Sequence, residues 1–97
     1  MIKREISKKD KTVKVTFALP LNGGESVAVL GDFNQWDPKK GKLVKRANGT
    51  VSATVALEPG KSYRFRYLRE DGAWLNDDEA DAFEPNQFGS LDCIINC

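Results

Sequence analysis

Apolar and polar residues alternate with a period of two along most of this chain. Val13, Val15, Phe17 and Leu19 alternate with Lys14, Thr16 and Ala18, and Val51, Ala53, Val55 and Leu57 with Ser52, Thr54 and Ala56. The spacing recurs in Tyr63, Phe65 and Tyr67 around Arg64 and Arg66, and in Leu91, Cys93 and Ile95 around Asp92, Ile94 and Asn96. Successive side chains of a strand point to opposite faces, so the pattern predicts strands with one buried and one wet face. Between the runs stand Asn22-Gly23-Gly24, Asp37-Pro38, Asn48-Gly49, Glu58-Pro59-Gly60 and Asp71-Gly72, all turn formers. Asn48-Gly49, between Leu43-Val44 and Val51, predicts a hairpin.

No segment carries a helical stripe. Short strands separated by frequent turns predict an all-β fold, an immunoglobulin-like antiparallel β-sandwich of about seven strands. Residues 25–31 are apolar on both faces and predict a central strand, while residues 76–87 read as the longest irregular stretch. Alternation also assigns faces. Tyr63, Phe65, Val27, Val29, Val55, Leu91 and Cys93 are expected inside, with Arg64, Ser90 and Asp92 exposed on the opposite side. The outward polar set is either the solvated side of a sheet or a surface for a polyol ligand.

Ninety-seven residues suffice for one domain, 1–97, with a single core. Lys3-Arg4 and Lys8-Lys9 are interrupted by Glu5 and Asp10, so residues 1–10 read as a solvated surface or a loose N-terminal arm. Fifteen basic and fourteen acidic residues leave a net charge of +1, which argues against nucleic acid or an anionic membrane as partner. No apolar run approaches the roughly 18 residues of a membrane span, and no signal-like h-region is present. With both Met1 and a last strand close to Cys97, the chain reads as a small free-standing protein.

Cys93 and Cys97 would lie roughly 13 Å apart in an extended tail, well beyond the roughly 4–7 Å between Cα atoms that a disulfide needs. Both are expected as free thiols, which points to the cytoplasm. Without histidine, a zinc site is not expected. Five carboxylates lie between residues 77 and 84 (Asp77, Asp78, Glu79, Asp81 and Glu84), but their spacing does not match an EF-hand loop. They read as solvated loop acids, with Asn76 and Asp77 as candidate turn caps. No cofactor is implied. Nor is catalysis: glycoside hydrolysis needs two carboxylates about 5–9.5 Å apart across a cleft, and no pair here has that context.

Two tryptophans carry the functional signal. Trp36 ends the turn Gly31-Asp32-Phe33-Asn34-Gln35-Trp36, and Trp74 follows the turn Asp71-Gly72. An indole beside a turn either fills the core or offers a flat apolar face, and the axial C–H patch of a pyranose ring lies well on such a face.

Val29-Leu30-Gly31-Asp32-Phe33-Asn34-Gln35-Trp36 resembles the signature of the starch- and glycogen-binding carbohydrate-binding module. That module precedes the catalytic domain of isoamylases and branching enzymes and recurs in the beta subunit of AMP-activated protein kinase. The resemblance continues through Leu57-Glu58-Pro59-Gly60, Tyr63-Arg64-Phe65, Asp71-Gly72-Ala73-Trp74, Asn76-Asp77 and Asn86-Gln87-Phe88-Gly89-Ser90. It implies non-catalytic binding of α-1,4-linked glucan, with Trp36 and Trp74 as the stacking tryptophans. Arg64 stands at a lysine of the family pattern, Phe88 at a leucine, Ser90 at a threonine and Asp92 at an asparagine. The last change removes two donors and adds a charge that could pair with Arg64 or Arg66. The alternative is a docking module for a kinase or glucan-processing enzyme, with a degenerate sugar face. A further alternative is a relative of branching enzymes and isoamylases that lacks the activity.

Overall fold

The computed structural model describes residues 2–9, 11–20, 26–47 and 49–97. The predicted turn at Asn22-Gly23-Gly24 and the position of Asn48 lie outside the described residues. Within them the chain is all strand, with nine strands: β1 (Ile2–Ser7), β2 (Thr12–Pro20), β3 (Val27–Gly31), β4 (Val44–Lys45), β5 (Thr50–Leu57), β6 (Ser62–Arg69), β7 (Trp74–Leu75), β8 (Ala82–Pro85) and β9 (Leu91–Asn96). One sheet has the order β1-β2-β5-β4 and the other β3-β6-β9-β8, with β7 also paired to β6. All pairings are antiparallel.

The inner faces meet in one apolar cluster. Val13, Val15 and Phe17 from β2 and Val51 and Leu57 from β5 face Val27, Val29, Phe65, Tyr67, Cys93 and Ile95 from the second sheet. Phe17 packs at 4.8 Å from Phe65 and stacks at 5.5 Å on Phe33, whose ring plugs the core beside the β3 turn. Centroid separations in this range are favourable for tilted and offset rings. The faces therefore follow the period-two expectation for Val27, Val29, Phe65 and Cys93.

Six expectations need correction. The 25–31 segment, expected as a central strand, forms β3 at the end of its sheet order, flanked on its other side by the isolated Ala28↔Lys42 bridge that covers its outer edge. Leu91 is 46% exposed rather than buried, because the β6–β9 ladder ends at Phe65↔Cys93 and Leu91 lies past it, opposite Pro85 of the edge strand β8. Tyr63 and Val55 are only half-buried. Residues 76–87 are not wholly irregular, since 82–85 pair with β9. Asp77 is not a solvated acid but 2% exposed: it accepts a 2.7 Å hydrogen bond from the Tyr67 hydroxyl and caps its own turn by accepting from Glu79 N at 2.9 Å. Burial, and then that bond to Asp77, push the Tyr67 hydroxyl far above the ordinary phenol range. Finally, residues 2–7 form β1 and pair with β2 over their whole length, with Arg4 ion-paired to Asp81 in the bend just before β8.

The tail is extended, as expected. Cys97 N donates to Lys61 O at 2.9 Å and Gly60 N to Cys97 O at 2.7 Å. Both thiols are free, Cys93 buried and Cys97 half-exposed, and burial raises the pKa of each. Alkylation of the intact protein is expected to label Cys97 first and Cys93 only in denaturant, giving two labels by mass spectrometry. A monomer that takes up no label after unfolding would contradict this.

Candidate functional site

The outer face of the second sheet carries an open cleft of about 790 Å³. All six candidate residues, Trp36, Arg64, Trp74, Phe88, Ser90 and Asp92, line it. They come from four separate places in the chain. Outward positions of β6 supply Arg64 and Arg66 along the floor, the turn after β3 supplies Trp36, β7 supplies Trp74, and the β8–β9 connection running into β9 supplies Phe88, Ser90 and Asp92.

The Gly31–Trp36 turn has a physical reason at nearly every position. A Cβ on Gly31 would stand 2.5 Å from Arg64 O, so only glycine fits. Asp32 clamps two elements: its Oδ1 accepts from Trp36 Nε1 at 3.1 Å and its Oδ2 from Arg64 N at 3.0 Å. Phe33 enters the core. Asn34 is buried and closes the turn, accepting from Gly31 N at 3.0 Å and donating from Nδ2 to Val29 O at 2.9 Å. Gln35 and Trp36 then take left-handed backbone angles, with φ of 57° and 56°. Two consecutive non-glycine residues there are costly and persist only when neighbours fix them. The result is a half-exposed indole whose polar edge is already bonded, leaving its ring surface as the part offered outward.

Trp74 is held differently. Asp71 closes the preceding turn, accepting from Ala73 N at 3.1 Å and pairing with Arg69, and Gly72 sits at φ 90°. The indole is 45% exposed, and the Arg66 guanidinium lies 5.4 Å from its ring centre while donating from Nε to Asn76 Oδ1 at 2.8 Å. That cation–π contact steadies the ring.

Asp92 departs from expectation. It is 7% exposed, and both oxygens are engaged: Oδ2 accepts from Arg64 Nη1 at 3.2 Å and Oδ1 from Asn86 Nδ2 at 3.0 Å. The anticipated pairing with Arg64 is present, but the carboxylate lies beneath the face rather than on it. Arg64 also pairs with Glu84 at 2.5 Å and is itself only half-exposed. Asn86 carries the chain onward: its Oδ1 accepts from Phe88 N at 2.9 Å and Ser90 N at 3.2 Å. This turn, with Gly89 at φ 79°, lifts Phe88 to 82% exposure beside the cleft. Asp32 and Asn86 were not among the sequence candidates. Asn86 had a readable signal, an asparagine opening a turn. Asp32 stood in the quoted signature segment four residues before its partner Trp36, but its second partner, the Arg64 main chain, is distant in sequence and left no local trace.

An all-β sandwich with an aromatic-rimmed, hydrogen-bonding cleft on one outer face defines a small recognition module. The chain belongs to the family described as the glycogen recognition site of AMP-activated protein kinase, which it matches over residues 7–97. It is also similar to 1,4-alpha-glucan branching enzymes GlgB. It is 34% identical to that of Synechococcus elongatus over 59 residues, covering 60% of this chain and 8% of the enzyme. With that of Ralstonia nicotianae the identity is 34% over 74 residues, 70% of this chain and 9% of the enzyme. With a Xanthomonas campestris enzyme it is 32% over 62 residues, 63% and 8%. The matched segment thus spans less than a tenth of these relatives.

Proposed function

We propose that this protein binds α-1,4-linked glucan, as glycogen, starch fragments or maltooligosaccharides, and does not transform it. One observation carries the reading: Trp36 and Trp74, each with exposed indole surface, line the same cleft with Phe88 at its rim. Family membership and similarity to 1,4-alpha-glucan branching enzymes support the ligand class.

The mechanism is passive. Sugar rings stack on the two indoles and pack beside Phe88, while Arg64 and Ser90 bond hydroxyls. Asp92, with both oxygens engaged, serves by holding Arg64 and the Asn86 turn in place. Trp36 contributes its face, since its N–H is bonded to Asp32. Titrating maltoheptaose while following tryptophan emission tests the reading. A saturable quench or blue shift is the expected result, and a flat titration into the tens of millimolar range, weaker than about 3 kcal/mol of binding, would refute it.

A further inference from the structure

Past Arg64 the outer face does not end. A second, shallower concavity of about 380 Å³ continues along the same sheet and shares Asp32 and Arg64 with the cleft. Its residues come from the other ends of the same strands. Ser62 opens β6, Asn96 closes β9, and the two pair across the ladder, with Ser62 Oγ donating to Asn96 Oδ1 at 2.6 Å. Between them and Arg64 lies Ile94, an outward position of β9 paired with Arg64 on one side and Ala82 on the other.

Its chemistry suits an uncharged polyol. Ile94, itself 7% exposed, gives a small apolar floor, the Ser62 hydroxyl and Asn96 amide give a hydrogen-bonding rim, and the one carboxylate at its border besides Asp32, Glu84, is already paired with Arg64. Asn96 Nδ2 has no hydrogen-bond partner among the described residues. The side chains of Ser62 and Asn96 bond only each other among the described residues, while Asn96 N donates to Asp81 Oδ2 at 2.7 Å, and both residues are exposed. From Arg66 to Ser62 the strand runs roughly 13 Å, longer than a single pyranose ring. A ligand on the tryptophans that followed β6 would therefore reach Ser62.

We propose that Ser62, Asn96 and Ile94 form a second sugar subsite, so that the ligand is a glucan chain laid along β6 across Arg64 rather than a short oligosaccharide confined to the tryptophan cleft. The inference rests on the glucan-binding reading above, and adds direction and length preference to it. No aromatic ring lies flat in this concavity, so its contribution comes from hydrogen bonds and is modest.

The test compares the parent protein with Ser62→Ala/Asn96→Ala and with Ala82→Leu, which covers the Ile94 floor, by calorimetry against maltotriose, maltoheptaose and debranched amylose. Both variants alter exposed positions, and unchanged maltotriose binding certifies their fold. The expected result is a loss of roughly three- to tenfold on the longer chains only, the scale of one or two exposed hydrogen bonds. Comparing variants on the same ligand removes the statistical gain of a long chain. Equal affinities of parent and variants at every length would overturn the subsite while leaving the cleft intact. Equal losses on maltotriose and amylose would overturn it too, by showing that these positions act through the cleft. A parent that binds none of the three is the failure of the glucan reading itself, and this inference falls with it.

Discussion

Trp36→Ala and Trp74→Ala are each expected to abolish or strongly weaken retention on amylose or glycogen. Stacking side chains at the centre of an interface act as hot spots, and truncating one costs about 2 kcal/mol or more, roughly thirtyfold in affinity. Binding on an open face has little to spare, so a loss of that size empties an affinity column. The two variants should differ in stability. Trp74 is 45% exposed on a two-residue strand, and its loss should leave the melting temperature near that of the parent. Trp36 is half-buried and bonded through Nε1 to Asp32, so its loss should lower melting as well as binding. Arg64→Ala should weaken binding less, because an exposed hydrogen bond contributes about 0.5–1.5 kcal/mol. A folded Trp36→Ala/Trp74→Ala protein that still binds glucan like the parent would sink the assignment of this face.

Asn34→Ala is expected to be the most damaging polar substitution near the site, although Asn34 touches no ligand position. Its side chain satisfies Val29 O and Gly31 N in a buried turn, and each group left without a partner costs about 1–3 kcal/mol. The sum, about 2–6 kcal/mol, should lower the melting temperature of a chain this size by roughly 10–30 °C. Glucan affinity should fall too, even where the protein is folded, because the left-handed backbone at Gln35 and Trp36 loses what fixes it. Thermal melting followed by circular dichroism, with amylose retention measured well below the transition, separates the two effects. Parent-like melting would show that the turn is held by something other than Asn34.

Central strands were legible because their environment is simple. β2 and β6 have a wetter and a drier face, and a period of two reports that directly; β5 follows it from Ala53 onward, and β9 keeps the alternation in sequence although Asp92 to Ile95 are all buried. Two of the end strands, β1 and β8, were not legible. β1 interrupts Ile2 and Ile6 with Lys3-Arg4-Glu5, and β8 ends on Glu84-Pro85; charges and proline are what an unpaired edge tolerates, so they read as loop. For the candidate site, alternation and motif brought together six residues that do line one cleft. What they did not convey was depth. Asp92 and Asp77 look like surface carboxylates until Arg64, Asn86 and Tyr67 arrive from elsewhere in the chain to satisfy them. Partners set by topology leave no local trace.

The bracketing of Arg64 has a bearing on what the face refuses. Its guanidinium is held between Glu84 and Asp92, so the positive charge there is answered from within the protein. A phosphate or sulfate ester brought against Arg64 meets carboxylates along with that cation and loses its hydration there, which leaves Arg66, bonded to the neutral Asn76, as the cleft's other positive group. A neutral sugar suffers no such opposition. If the cleft takes sugar as proposed, weaker retention of sulfated or phosphorylated glucan than of neutral glucan is the expected result, set by carboxylates already present in the unliganded face rather than by a contact dedicated to the preferred ligand.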